Sequence, residues 1–402
     1  MRSLCIISHG YPCNANRISQ PFTREFAHAV ARQGVKVTVI APLALHLAWR
    51  GKDPLNEVEL TDEGESINVF RPHYISASNR RFWTWNTAQI GLASFCMAAS
   101  RVLRRLVVPR PDVMCGHFLY LGGAAATRLG AAMGIPAFPM VGEGQLNSVE
   151  DFGLERARRH FSAATAFLPN SSCLARPLEE NLGVSQERIR VFPNGINHRV
   201  FFARDKRAMR NALGLPQDRF LVICVGHQDL QKGPVRVGEA IGGLEGVRGV
   251  FLGAGPNPPQ AENILFNKPV PHERVPEWLS AADVFVLPST YEGCCNAALE
   301  AMACGLPVIS SIGEFNDDIL NERVSIRVDP LDVSAIRSAI ICLRDNPRMR
   351  DEMRRGALEW SARFDVDRRA QDILRFMEER IVGRNGRHPP HSTPLRTHIS
   401  TL

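Results

Sequence analysis

Glu292 and Glu300 stand eight residues apart in YEGCCNAALEAMACGLPVIS, residues 291–310. The first lies in a segment without helical periodicity. The second lies in NAALEAMAC, which reads as a short helix over residues 296–304, with Gly305 past its end and Pro307 preventing continuation. Between the carboxylates, Gly293, Cys294 and Cys295 are small, so a ligand can approach the backbone closely. The amides of Cys294, Cys295 and Asn296 open the helix, and a helix N-terminus is a seat for phosphate. Carboxylates on both sides of that seat suit a diphosphate with hydroxyls at each end, because a carboxylate accepts two hydrogen bonds from a diol. A nucleotide-sugar has this layout, with Glu300 on the ribose and Glu292 on the sugar. Spacing alone equally describes a plain helix with an exposed Glu300 and a capping Glu292.

The elements around this stretch are legible as strands alternating with helices. In the first half LCIIS, VKVTVIA, INVFR, DVMCG, IPAFPMV, TAFLPN and IRVFPN read as strands, and PFTREFAHAVARQG as a helix closed by Gly34. After Phe201 the pattern restarts with FLVICVG, followed by VRGVFLGAG, ENILF, DVFVLPS, PVISS and VSIRV. Continuous apolar strands separated by helices imply parallel sheets covered on both faces. DVFVLPS ends just before Glu292, so both glutamates fall at the carboxyl edge of a sheet, where open α/β folds bind ligands. FPNGINHRVFF, with its Pro193-Asn194-Gly195 turn, reads as an interdomain connector. The fold class expected is therefore α/β, two doubly wound domains facing each other.

A chain of 402 residues is long enough for two such cores, and 45% hydrophobic with 22% charged residues is a globular composition. No apolar run is long enough to span a membrane, and LCIIS near the start reads as a buried strand rather than a signal core. The ten cysteines show no metal-ligand spacing; the adjacent Cys294 and Cys295 suit neither zinc nor a routine disulfide, and a reducing cytoplasmic compartment is expected. The net charge of +7 is concentrated in the first half: 21 Lys and Arg against 15 Asp and Glu through Asn197. That excess suggests an anionic partner, a phosphate-bearing lipid or membrane surface before nucleic acid, for which no binding signature is present. RRFWTWNTAQIGLASFCMAASRVLRRLVVPRP, residues 80–111, sets Trp83 and Trp85 beside Arg101, Arg104, Arg105 and Arg110 around an apolar helix. This is either an interfacial segment or a core helix with a solvated arginine face. Asp365 and Asp367 begin another helix and read as caps rather than as a metal-holding D-x-D pair. The Arg-, His- and Pro-rich tail, residues 383–402, reads as disordered.

The donor-site stretch AADVFVLPSTYEGCCNAALEAMACGLPVISS closely resembles the E-x7-E signature of family-4 retaining glycosyltransferases of the GT-B fold. RIRVFPNGINHRVF is similar to the family's connector, VGHQDLQKGP to its G-R-x4-K-G loop, KPVPHERVPEWL to the segment before the last donor-site strand, and FDVDRRAQDILRF to its closing helix. SHGYP and GEFNDDIL look most like members that build cell-surface polysaccharides. The resemblance implies a GT-B architecture: an acceptor domain over residues 1–197, a nucleotide-sugar donor domain over 198–364, and a helix over 365–382 returning to the first domain. It implies Lys232 as the diphosphate lysine, with Gly226 and His227 in the same loop. His227 stands where the family has arginine, and a histidine offers neither a permanent charge nor a bidentate fork. Gln20 falls where the family has a backbone-exposing glycine, so its amide would serve the donor phosphate instead. Glu143, in the Gly142–Gly144 turn that replaces the family's strand-end histidine, would orient donor sugar or acceptor. His117 reads as a satisfied structural histidine.

The activity implied is retaining sugar transfer by front-face attack, with no protein nucleophile, no metal and no other cofactor. The acceptor would be a glycan or a polyprenyl-diphosphate-linked one, and the protein peripheral on the cytoplasmic membrane face. Two alternatives remain at this point: a GT-B sugar-nucleotide epimerase, and a catalytically silent nucleotide-sugar-binding partner.

Overall fold

A computed structural model describes residues 1–14, 16, 19–76, 81–82, 85–107, 109–144 and 153–385. Seven strands of the first half form one sheet: β1 (Ser3–Ser8), β2 (Lys36–Ile40), β3 (Asn56–Leu60), β4 (Ser66–Phe70), β5 (Val113–His117), β6 (Ala137–Val141) and β7 (Leu168–Pro169). Their order is β7-β6-β5-β1-β2-β4-β3, parallel except for the β3–β4 pair. LCIIS reads as a continuous apolar run because both sheet faces are covered. Leu4 and Ile6 enter one core, and Cys5 and Ile7 the other. The helix α1 (Pro21–Arg32) packs on the first of these cores and α2 (Thr87–Arg105) on the second.

The second half forms a six-stranded parallel sheet of β8 (Phe220–Val225), β9 (Val247–Leu252), β10 (Ile264–Asn267), β11 (Val284–Leu287), β12 (Val308–Ser311) and β13 (Ser325–Val328), in the order β10-β9-β8-β11-β12-β13. Between its strands run α3 (Pro234–Ile241) and α4 (Asn296–Ala303). The strand order reverses between β1 and β5 in the first sheet and between β8 and β11 in the second. Loops leaving neighbouring strands in opposite directions open a crevice at each of these points. The chain thus brings His117 to one crevice, and the loops that follow Val225 and Leu287 to the other.

The final helix α5 (Val366–Asn385) returns to the first domain, where Val366, Ile373, Phe376 and Met377 enter the core beside Phe26 and Phe192. Where the chain crosses twice between domains, the crossings bond to each other. Ile196 donates to the Phe364 carbonyl at 2.6 Å, and Val366 donates to the Ile196 carbonyl at 3.0 Å. Gly195 is required there, since a Cβ at that position would lie 2.6 Å from Val366 Cα. Asp365 accepts from the amides of Asp367 and Arg368 at 3.0 and 2.9 Å, capping α5. Asp367 is held by Arg32 and Arg199 at 2.6 and 2.8 Å.

The structure departs from the sequence reading in three places. IRVFPN forms no strand. It runs beside β7 with a single bridge at Ile189, because Pro169 has no N–H with which to continue the ladder. Asn56–Leu60 does form a strand, an antiparallel edge with NEVEL alternating between more and less exposed positions. Helix α5 runs to Asn385, three residues beyond the expected 382, and residues 386–402 of the tail lie outside the described residues, as does Trp83.

Candidate functional site

Between the two sheets lies a cavity of about 670 Å³. Its second-domain wall includes Gly226, His227 and Lys232 from the loop after β8, and Glu292 and Gly293 from the loop after β11. Cys294, Cys295, Asn296 and Glu300, at the start and middle of α4, complete that wall. Phe22, His117, Phe118 and Gly142 face it from the first domain.

Local bonds hold the two donor-side loops together. Gln231 donates from its side chain to the Tyr291 carbonyl at 2.9 Å, and its own carbonyl accepts from Thr290 at 2.9 Å. Asp229 accepts from the Lys232 amide at 2.7 Å, and Gly233 takes a left-handed turn (φ 72°) into α3. Lys232 is thereby aimed at Glu292, to which its ammonium donates a hydrogen bond. Burial works to lower the Lys232 pKa, but the neighbouring Glu292 charge outweighs it and the net direction is upward. The ammonium is therefore fully charged at neutral pH.

Helix α4 points its N-terminus into the same cavity. The first amides of a helix have no intrahelical acceptor, so this end carries partial positive charge. The Asn194 side-chain amide donates to Asn296 Oδ1 at 2.7 Å, fixing the helix start against the connector. Burial, the largest influence, pushes the Cys294 thiol up to about 12 and raises that of Cys295 as well. These free thiols are neutral, and their contribution is small size at the point of close approach. Gly293 is needed for a different contact: a Cβ there would come 2.5 Å from the Gly142 carbonyl across the cleft.

Two family models match consecutive parts of the chain: "Glycosyltransferase Family 4" over residues 20–200 and "Glycosyl transferases group 1" over residues 205–360. The chain is a family-4 glycosyltransferase. It is 26% identical over 388 residues to a Bacillus subtilis protein named for teichuronic acid biosynthesis, the glycosyltransferase TuaC, covering 91% of this chain and 96% of that one. Among solved structures, the sucrose-phosphate synthase of Thermosynechococcus elongatus superposes with a TM-score of 0.77 at 18% identity, covering 95% of this chain and all of the other. The Anabaena protein HepE, solved with UDP-glucose, superposes at 0.64 with 15% identity and covers 94% of this chain and all of that one. These likenesses establish the two-domain GT-B fold.

In this glycosyltransferase Glu300 accepts from His272 Nε2 at 3.0 Å, a partner not anticipated from sequence. Burial alone would lower the His272 pKa. The Glu300 hydrogen bond and charge, with Glu25 and Glu273 beyond, outweigh it and raise the ring above its ordinary value. His272 also borders a second cavity of about 250 Å³ behind Glu300, shared with Phe22 and Asn296. Only the segment KPVPHERVPEWL hinted at it, as a stretch similar to the family's.

Two residues expected at the site are spent elsewhere. Gln20 does hold a glycine-like backbone, with φ 48°, but its side chain folds back over Gly10. There it bonds Ser8 at 3.1 Å and His9 at 3.0 Å, so its amide does not line the cavity. Glu143 likewise does not line it, although Gly142 and Gly144 do. Its carboxylate accepts from the amides of Leu119, Tyr120 (3.3 Å) and Gly142 (3.0 Å). Burial is the strongest influence on Glu143 and takes its pKa to about 7 against those amides. It thereby braces a turn in which Phe118 and Leu121 both have positive φ, 62° and 56°. The Glu143 carboxylate thus holds the backbone that carries Phe118 on the cavity wall, and Glu143 is not itself among the lining residues. His117 also departs from expectation: it is 8% exposed, yet its Nδ1 has no hydrogen-bond partner among the described residues.

Proposed function

We propose that the protein is a retaining glycosyltransferase moving a sugar from a nucleoside-diphosphate donor to a glycan or polyprenyl-diphosphate-linked acceptor. The observation carrying this reading is the convergence of Lys232, the α4 N-terminus, Glu292 and Glu300 on one cavity at the second sheet's crevice. As the bond to the anomeric carbon breaks, negative charge accumulates on the departing diphosphate. The fixed ammonium of Lys232 and the first amides of α4 stabilise that charge without reorganising. The leaving phosphate oxygen takes the acceptor hydroxyl's proton as that hydroxyl attacks from the same face. Such a path uses no protein nucleophile and, with Lys232 and α4 supplying the charge, no metal. Glu292 accepts from sugar hydroxyls and Glu300 from the ribose diol.

HepE's complex with UDP-glucose makes uridine donors the first to test, and the TuaC name supports a surface-polysaccharide acceptor. Membrane contact fits α2. One face is buried through Leu92, Phe95, Ala99 and Val102, while the other exposes Ile90 and Met97 beside Arg101, Arg104 and Arg105. No helix among the described residues is long and apolar enough to cross a membrane.

Acceptor-dependent release of nucleoside diphosphate, followed by NMR of the product's anomeric proton, tests the reading. Release that needs acceptor, with the donor's configuration kept, supports it. Release without acceptor supports the epimerase alternative, and inversion removes the front-face path. Binding without any release leaves a silent partner.

A further inference from the structure

Arg369 sits in the first turn of α5, where the helix dipole disfavours a cation, and it lines the cleft. Its Nε donates to the Pro193 carbonyl at 2.6 Å and its Nη2 to the Phe192 carbonyl at 3.3 Å. The guanidinium carbon lies 5.6 Å from the centre of the Phe26 ring. All of these partners are neutral. Among the described residues no carboxylate pairs with Arg369, and its Nη1 has no hydrogen-bond partner. Burial draws its pKa down to about 10, which still leaves it charged at neutral pH. A cation withdrawn from water is costly unless an anion meets it.

A second observation lies beside it. His117, at the end of β5, lines the same cavity, and its buried Nδ1 has no hydrogen-bond partner among the described residues. Burial first, then the Arg369 charge, lowers its pKa to about 3, so the ring is neutral and offers one N–H. Facing them is Cys294, whose thiol interacts electrostatically with Arg369 and which lies two residues before the α4 start. His227, exposed and on the far loop, occupies the place of the family's arginine.

We propose that Arg369, with His117 beside it, forms a phosphate seat on the first-domain side of the cleft, facing Lys232 and the α4 N-terminus. The proposal rests on the nucleotide-sugar reading above. This seat supplies a guanidinium donor, Nη1, from the opposite wall where position 227 supplies none. Because the other Arg369 donors hold the connector carbonyls, phosphate bound here is tied directly to the segment that joins the domains. The phosphate belongs either to the donor diphosphate or to a phosphate-bearing acceptor.

Isothermal titration of the full chain separates the two. UDP, GDP and ADP are titrated into wild type, Arg369→Gln, Arg369→Lys and the double variant Arg369→Gln/His227→Arg. The matching nucleosides are titrated in parallel, and inorganic phosphate is titrated with and without saturating nucleotide. Arg369→Gln is expected to weaken phosphate-bearing ligands about 10- to 100-fold, the range of a lost charge-assisted hydrogen bond, with nucleoside affinity unchanged. Arg369→Lys falls between the two. A loss in the diphosphate titration that His227→Arg recovers assigns the seat to the donor. A loss confined to inorganic phosphate on the nucleotide-saturated protein assigns it to the acceptor. Unchanged affinity in both arms overturns the proposal, as does equal weakening of nucleoside and diphosphate, the mark of a distorted connector. A wild type that binds no nucleoside diphosphate removes the nucleotide-sugar reading instead, and the inorganic-phosphate arm still decides Arg369.

Discussion

At the scale of single residues, what could be read in advance depended on how local the cause was. Glu292, Glu300 and Lys232 were legible because loop, helix start and small neighbours all lie within one stretch or one recognisable motif. Gln20 and Glu143 were not, because where a side chain points is set by tertiary neighbours. One folds over Gly10, and the other reaches the amides of Leu119 and Tyr120. His272 was invisible for the same reason, since its partner Glu300 is 28 positions away. The His272–Glu300 pair makes a prediction about pH. The folded-state pKa of His272 is raised above its ordinary 6.5, so the pair's stabilisation is complete below that value and fades as pH rises through the raised one. Melting midpoints of wild type and His272→Asn should differ most near pH 5.5 and converge by pH 9. Parallel curves across that range would show that the pair contributes nothing that depends on protonation.

At the scale of elements, the two sheet crevices decide where chemistry can occur. They arise where β1 meets β5 and where β8 meets β11. The six strands of the second domain were all legible, because each is an apolar run bounded by glycine or proline. The first domain was less so. Its β3 is a polar edge without an apolar run, and IRVFPN has the composition of a strand but lies against Pro169. The element that unites the halves is α5, clamped at Gly195 where the two crossings touch. Gly195→Ala places a methyl group 2.6 Å from Val366 Cα, a backbone atom that cannot rotate away. A loss of about 1–3 kcal/mol in denaturant unfolding is expected, typical of overpacking. A change within about 0.5 kcal/mol, the spread of neutral surface substitutions, would mean that the crossing relaxes freely.

At the scale of the whole molecule, part of the basic excess of the first half lies on α2, where Arg101, Arg104 and Arg105 are exposed beside apolar side chains. Co-sedimentation with vesicles containing anionic lipid should fall when these three arginines become glutamate, and added salt should weaken wild-type binding. Equal sedimentation of both proteins would place any membrane contact elsewhere. The central claim, however, concerns the cleft. The most direct measurement is a thermal-shift panel of UDP-, GDP- and ADP-sugars on wild type, Lys232→Ala and Glu300→Ala. One nucleotide should raise the wild-type midpoint by several degrees at saturating concentration, as ligand linkage requires, and neither variant should respond. No shift with any nucleotide-sugar in the folded wild type, or an undiminished shift in both variants, would contradict a donor site built on Lys232 and Glu300.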